Sequence, residues 1–177
     1  PGADTRKISD VLDDVGNPTA AIGMGFAIGS GALPALAIIA AFVQTVSLHN
    51  PGFSLEITDP RVLVGMFIGG CIPFLIASIT MTAVGEAAFD MITEIRRQFH
   101  EIPGLLEGTA DPDTAKCVDI ATSAALRRMI LPGTIAVAAP VLVGFGIGAS
   151  SLGGMLGGAL LTCVMMALMM ANAGGAW

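Results

Sequence analysis

Between Asp14 and Glu56 the chain carries no aspartate, glutamate, lysine or arginine, and from Met129 to Trp177 it carries none again. Lipid offers no partners to backbone N–H and C=O groups, so an uncharged run longer than about 18 residues reads as a membrane-spanning helix. The first run opens as GNPTAAIGMGFAIGSGALPALAIIAAFV (16–43), behind an acidic, turn-forming lead-in with Asp10, Asp13 and Asp14. Asn17 suits the N-cap of that helix and Pro18 its first turn, where a missing donor costs nothing. Ser9 to Val15 is expected to form no more than a helical turn at the membrane surface.

Four spans follow from the uncharged runs, at about 19–46, 62–85, 118–148 and 152–172. His49–Gly52 makes a turn after the first. The helical pattern of the second runs on in AVGEAAFDMITEIRRQFHEI to about residue 100, with Glu86, Asp90 and Glu94 at i, i+4, i+8 as a solvated face and Arg97–Glu101 as an i,i+4 pair. Pro and Gly mark a loop at about 101–114, after which a third helix runs through LRRM into the bilayer. The last uncharged run is too long for one helix, and GIGASSLGGMLGG is the place to turn. The fold class is therefore all-α, a polytopic membrane bundle in one domain.

Composition agrees, with 54% hydrophobic and 12% charged residues. A net charge of −6 without a clustered basic face excludes nucleic acid as a partner. Cys71, Cys117 and Cys163 are isolated and form neither a disulfide framework nor a CxxC metal motif. Glycine recurs at four-residue spacing in Gly25/Gly29, Gly65/Gly69, Gly144/Gly148, Gly153/Gly157 and Gly154/Gly158, the spacing that lets helix backbones approach closely in lipid. With four spans, both ends and the long 86–128 connection share a face that holds seven of the eight basic residues, Arg61 lying opposite. By the positive-inside rule that face is cytoplasmic.

GNPTAAIGMGFAIGSGAL (16–33) resembles the GNTTAAIGKGFAIGSAAL segment of the membrane-integral pyrophosphatases, which couple pyrophosphate hydrolysis to pumping of H⁺ or Na⁺. The resemblance resumes at AVGEAAFDMITEIRRQFHEIPGLLEG (83–108), PDTAKCVDIATSAAL (112–126) and MANAGGAW (170–177). It implies a Mg²⁺-dependent enzyme in a lipid bilayer, with its pyrophosphate site on the cytoplasmic side and a homodimeric assembly. It also implies that this chain is a fragment, about a quarter of a family member. The acidic and lysine motifs of the family lie outside it, so the chain by itself is expected to be inactive and holds no catalytic residue.

Residue by residue, the resemblance puts Asn17 at the asparagine that contacts the Mg²⁺–pyrophosphate cluster. Ala20, with Gly23 beside it, stands at the position that separates K⁺-dependent members, which have alanine, from K⁺-independent ones, which have lysine. A lysine ammonium there can stand in for a bound K⁺, so Ala20 points to K⁺ dependence. Met24 departs from the family's lysine, and Pro18 from its threonine. The transported ion is not legible, and MANAGGAW points to a cell (inner) membrane. The rival readings are a non-enzymatic transporter or channel bundle and a degenerate, inactive paralogue. Arg96, Arg97, Arg127 and Arg128 read as membrane-surface anchors, with an anion site as the other possibility.

Overall fold

The computed structural model describes residues 3–175, which form helices α1 (Ala3–His49), α2 (Pro60–Glu101), α3 (Thr114–Arg128), α4 (Ile130–Gly146) and α5 (Ala149–Met170), then a π-helical turn, Ala171–Gly175. Among the described residues there is no strand, and four helical stretches are long and apolar enough to cross a bilayer, α3 with α4 counting as one. The chain divides into two compact units, Pro1–Pro73 with Pro140–Trp177, and Phe74–Ala139.

In the first unit α1 is one helix of 47 residues, which corrects the expected start at Asn17. Asn17 is an interior residue, not a cap. The segment before it, with Ala3, Arg6, Lys7 and Leu12, holds good helix formers, and nothing there breaks the turn. Pro18 is tolerated inside the helix at the loss of the bond that its N–H would have given to the Asp14 carbonyl. The cap-and-proline pattern occurs instead at Asp59–Pro60. There the Asp59 carboxylate accepts from the Arg61 N–H at 2.8 Å and Pro60 takes the first position of α2.

The partly buried residues of α1 include Ala21, Gly25, Ile28, Ala32, Ala35, Ile39, Phe42 and Val46, spaced alternately four and three apart, with Val43 and Ser47 beside the last two. That is a 3.5-residue seam of the coiled-coil kind, and it packs on α5. Beyond His49, Gly52 turns the chain at φ +99°, Phe53 meets Phe42 edge-on at 6.4 Å between ring centres, and Asp59 starts α2.

The closest packing lies between the start of α2 and α5. A Cβ on Gly65 or Gly69 would fall onto the carbonyls of Ser151 and Met155, and one on Gly154 or Gly158 onto those of Val62 and Met66. Each helix thus sets its glycines against the other's backbone. Ser151, 1% exposed, ties the end of the contact by donating to the Arg61 carbonyl at 2.8 Å. The other four-residue glycine pairs do not approach a backbone in this way: Gly25, Gly29 and Gly157 would meet nothing within 4 Å. The reversal into α5 falls at Gly148, whose φ of +128° suits only glycine. Beyond Met170, α5 continues into the π-helical turn Ala171–Gly175.

In the second unit the helix expected to run unbroken through LRRM is interrupted at Met129. Pro132 explains the break, since it has no N–H for the Arg128 carbonyl and its ring crowds that carbonyl, whereas the first turn of a new helix accepts it. The water-facing ends of α2 and α3 are joined by Gln98. Its side chain donates to the Asp113 carbonyl and accepts from the Asp113 N–H, both at 3.0 Å, and Asp113 in turn caps α3 by accepting from the Lys116 N–H at 3.0 Å.

Candidate functional site at the polar end of α1

On a helix, residues i, i+3 and i+7 share a face, so Asn17, Ala20 and Met24 form one line about 10 Å long. Gly23 sits about a quarter turn away from that line. All four are exposed; Asn17, Ala20 and Met24 lie beside the Ala21–Gly25–Ile28 seam rather than in it, and Gly23 lies nearly opposite the seam. They are therefore not what holds α1 to α5. Upstream, Asp10, Asp13 and Asp14 are on the same side as Asn17 and are also exposed.

Asn17 donates through Nδ2 to Asp13 Oδ1 at 3.0 Å. This fixes the amide group and leaves its oxygen with no intramolecular donor among the described residues. The edge thus offers two kinds of oxygen ligand one turn apart, an amide carbonyl and a carboxylate. Mg²⁺ takes oxygen donors in octahedral geometry, commonly one or two carboxylates with substrate phosphates and water. The residues present fit one side of such a sphere and not the whole of it. Among the described residues, no three His, Cys, Asp or Glu side chains stand close enough together to hold a metal ion.

Ala20 leaves its stretch of helix surface with nothing larger than a methyl group. Gly23 has open space around it, where a Cβ would meet nothing within 4 Å. Met24 is engaged on one side, because a Cβ on Gly175 would lie 3.4 Å from Met24 Cε and 3.7 Å from the Ala21 Cβ. The π-helical turn therefore rests beside this line of α1. In that turn the Asn172 side chain donates back to the Leu168 carbonyl at 2.8 Å.

At the water end of α2, the solvated face read from Glu86, Asp90 and Glu94 holds for the first two only. Glu94 is 8% exposed and accepts from Arg97 Nε at 2.9 Å, Arg97 Nη2 at 2.7 Å and Gln98 Nε2 at 3.0 Å. The Arg97 hydrogen bonds, then that of Gln98, pull its carboxyl down to about 2, while Glu94 and Glu101 hold Arg97 above its usual range. The arginines expected as a group of surface anchors are divided. Arg97 is paired with Glu94 and Glu101, and Arg128 with Glu86 and, at 3.8 Å, Asp90. Gln98 escaped the sequence reading because its partner Asp113 is 15 residues away and no periodicity links them.

A family model described as inorganic H⁺ pyrophosphatase matches residues 2–177. The chain is 50% identical over 175 residues to a K⁺-insensitive pyrophosphate-energized proton pump of Methanosarcina mazei, covering 99% of this chain and 26% of that protein. It is 53% identical over 174 residues to a putative K⁺-stimulated pyrophosphate-energized sodium pump of Clostridium tetani, covering 98% and 25%. A K⁺-stimulated pyrophosphate-energized sodium pump of Thermotoga maritima is 44% identical over 181 residues, again 98% of this chain and 25% of the relative. The chain thus spans about a quarter of the length of the curated relatives it matches.

Proposed function

The chain belongs to the inorganic H⁺ pyrophosphatase family, and from that premise we propose that it forms part of a membrane pump that hydrolyses Mg²⁺-bound pyrophosphate and moves H⁺ or Na⁺ across the bilayer. The observation that carries this reading is the match over 2–177, joined to the exposed Asp13–Asn17 oxygen pair where the charged first turns of α1 give way to its uncharged run. Mg²⁺, when bound, neutralises charge on pyrophosphate oxygens and orients the attacking water. The part that this chain plays is to hold Asn17 with its Nδ2 tied to Asp13, so that the amide oxygen is presented toward the metal–substrate cluster. The remaining carboxylates and the lysines that face the phosphates come from residues outside this segment.

The charge pattern supports a cytoplasmic placement of this edge, with the segment's ends and the 86–128 connection on the same side. The assembly we infer is a homodimer in a cell membrane. Reconstitution of the complete protein in sealed vesicles tests the function. Mg²⁺-dependent phosphate release accompanied by uptake of H⁺ or Na⁺ is expected. Ion movement without hydrolysis would instead establish the non-enzymatic transporter, and the absence of both the inactive paralogue.

For the cation requirement, relatives of both kinds match at similar identity, so the reading rests on Ala20. An alanine there leaves room for a hydrated or bound K⁺, and we infer K⁺ stimulation. Ala20→Lys places an ammonium in that room, and lysine is nearly as good a helix former as alanine. Phosphate release by the variant should lose most of its dependence on added K⁺. A parent protein indifferent to K⁺, or a variant still fully dependent on it, overturns the assignment.

A further inference from the structure

In the unit Phe74–Ala139, a cleft of about 820 Å³ opens at the water end of the helices, lined by Asp90 of α2, by Asp119, Ser123 and Arg127 of α3, and by Ile130. Arg128 is committed to α2 through Glu86 and Asp90. Arg127 and Asp119 are different. Neither has an ion-pair or hydrogen-bond partner among the described residues, and at eight residues apart they are too far from each other to pair.

Asp119, Ser123 and Arg127 follow one another at i, i+4 and i+8, so they form a line along one face of α3 with steps of about 6 Å. Arg127 and Arg128 are the last charged residues before the run from Met129 that carries none. On the membrane side of Arg127, Ile130 and Leu131 are 67% and 56% exposed. Outward from the bilayer the surface therefore reads apolar side chains, guanidinium, hydroxyl, carboxylate.

A phospholipid with a primary-amine headgroup has the complementary order: acyl chain, phosphate, then ammonium two carbons further out. We propose that this cleft is a binding site for such an aminophospholipid. Arg127 takes the phosphate, its stem lying along the apolar surface while its guanidinium reaches outward. Ser123 donates to a phosphate oxygen, and Asp119 accepts from the ammonium, which has three donors. The carboxylates decide the class of ligand. Asp119 and Asp90 repel a purely anionic headgroup or free pyrophosphate, and a trimethylated choline nitrogen has no N–H to give Asp119.

Native mass spectrometry of the complete protein tests this, with phosphatidylethanolamine, phosphatidylcholine and phosphatidylglycerol of equal chain length offered in competition. A charge-assisted hydrogen bond corresponds to about tenfold or more in affinity. Phosphatidylethanolamine should accordingly be retained about tenfold over the other two. Asp119→Asn should lower it to the level of phosphatidylcholine, Arg127→Gln should lower all three lipids, and Lys116→Gln should change nothing. Arg127→Lys and Asp119→Glu, which keep the charges, should hold the preference and guard against a folding defect. Equal retention of phosphatidylethanolamine and phosphatidylcholine by the parent refutes the site. So does phosphatidylglycerol binding that ignores Asp119→Asn, which marks plain phosphate anchoring, or displacement of the lipid by pyrophosphate, which marks a free-phosphate site.

Discussion

The unit that holds α1, the start of α2 and α5 is fastened where the backbones of α2 and α5 touch, whereas the unit Phe74–Ala139 is fastened at its water end by side chains. In the first, Gly65, Gly69, Gly154 and Gly158 set each helix against carbonyls of the other. In the second, Gln98 grips both backbone groups of Asp113, Arg97 is held between Glu94 and Glu101, and Arg128 reaches Glu86. The solvent of each region accounts for the difference. Inside lipid, association gains nothing from removing apolar surface from water, so contact must be close and small residues permit it. Where water competes, directional bonds to buried groups fix the geometry, because leaving those groups unmet is costly.

The largest effect should come from filling the backbone contact. Gly69→Leu puts a branched side chain onto the Met155 carbonyl, and α2 has to move off α5. Overpacking costs about 1–3 kcal/mol and sometimes more; here the obstacle is backbone and cannot rotate aside. Thermal unfolding in detergent should show a drop of that size or outright misfolding, and an unchanged midpoint would break the contrast between the units. Next is Gln98→Leu, which removes both hydrogen bonds to the Asp113 backbone, each worth about 0.5–1.5 kcal/mol net. Faster hydrogen exchange over 102–116, with α5 unaffected, is the expected pattern.

Acid sharpens the comparison further. The Glu94 carboxyl lies at about 2 in the folded protein, below its ordinary 4.5. Its contribution is therefore complete above about pH 4.5 and is lost as the pH falls toward 2, while the glycine contacts contain nothing that titrates. Amide protection at Asp113 and Lys116 should fade across that window before protection in α5 does. The smallest effect is expected at Gly157, where an added methyl would meet nothing within 4 Å. Gly157→Ala should be neutral or stabilise by up to about 1 kcal/mol through helix propensity, and a loss as large as that of Gly69→Leu would show that spacing alone identifies packing glycines.

Much of the fold is legible in the sequence because charge is excluded from lipid: the uncharged runs alone imply four spanning helices in an all-α bundle. What escaped has definite physical reasons. The cap signal at Asn17–Pro18 is genuine chemistry in the wrong place, since an N-cap needs a non-helical approach and Ala3–Gly16 is helical. Asp59–Pro60 has the same pair of residue types after a true turn. The α1 seam is invisible because its neighbours Ile22, Phe26 and Leu33 are as apolar as the seam, so no polar contrast marks a face. Glycine spacing named five candidate pairs, of which Gly65/Gly69 and Gly154/Gly158 bring backbones together. At the candidate site the line Asn17–Ala20–Met24 follows from helical spacing, but the Asp13 partner of Asn17 does not, because it exists only if the helix continues upstream.

That upstream partner makes Asn17 the residue on which the functional account turns. The direct measurement is phosphate release by the complete protein as a function of Mg²⁺ and pyrophosphate, comparing the parent with Asn17→Ala. A positioned metal-contacting group is worth about 10- to 100-fold in metal affinity or activity. The account predicts a loss of that size, with the Mg²⁺ requirement shifted to higher concentration and the unfolding midpoint little changed, since Asn17 is exposed. An Asn17→Ala protein with the parent's Mg²⁺ dependence and turnover would contradict it.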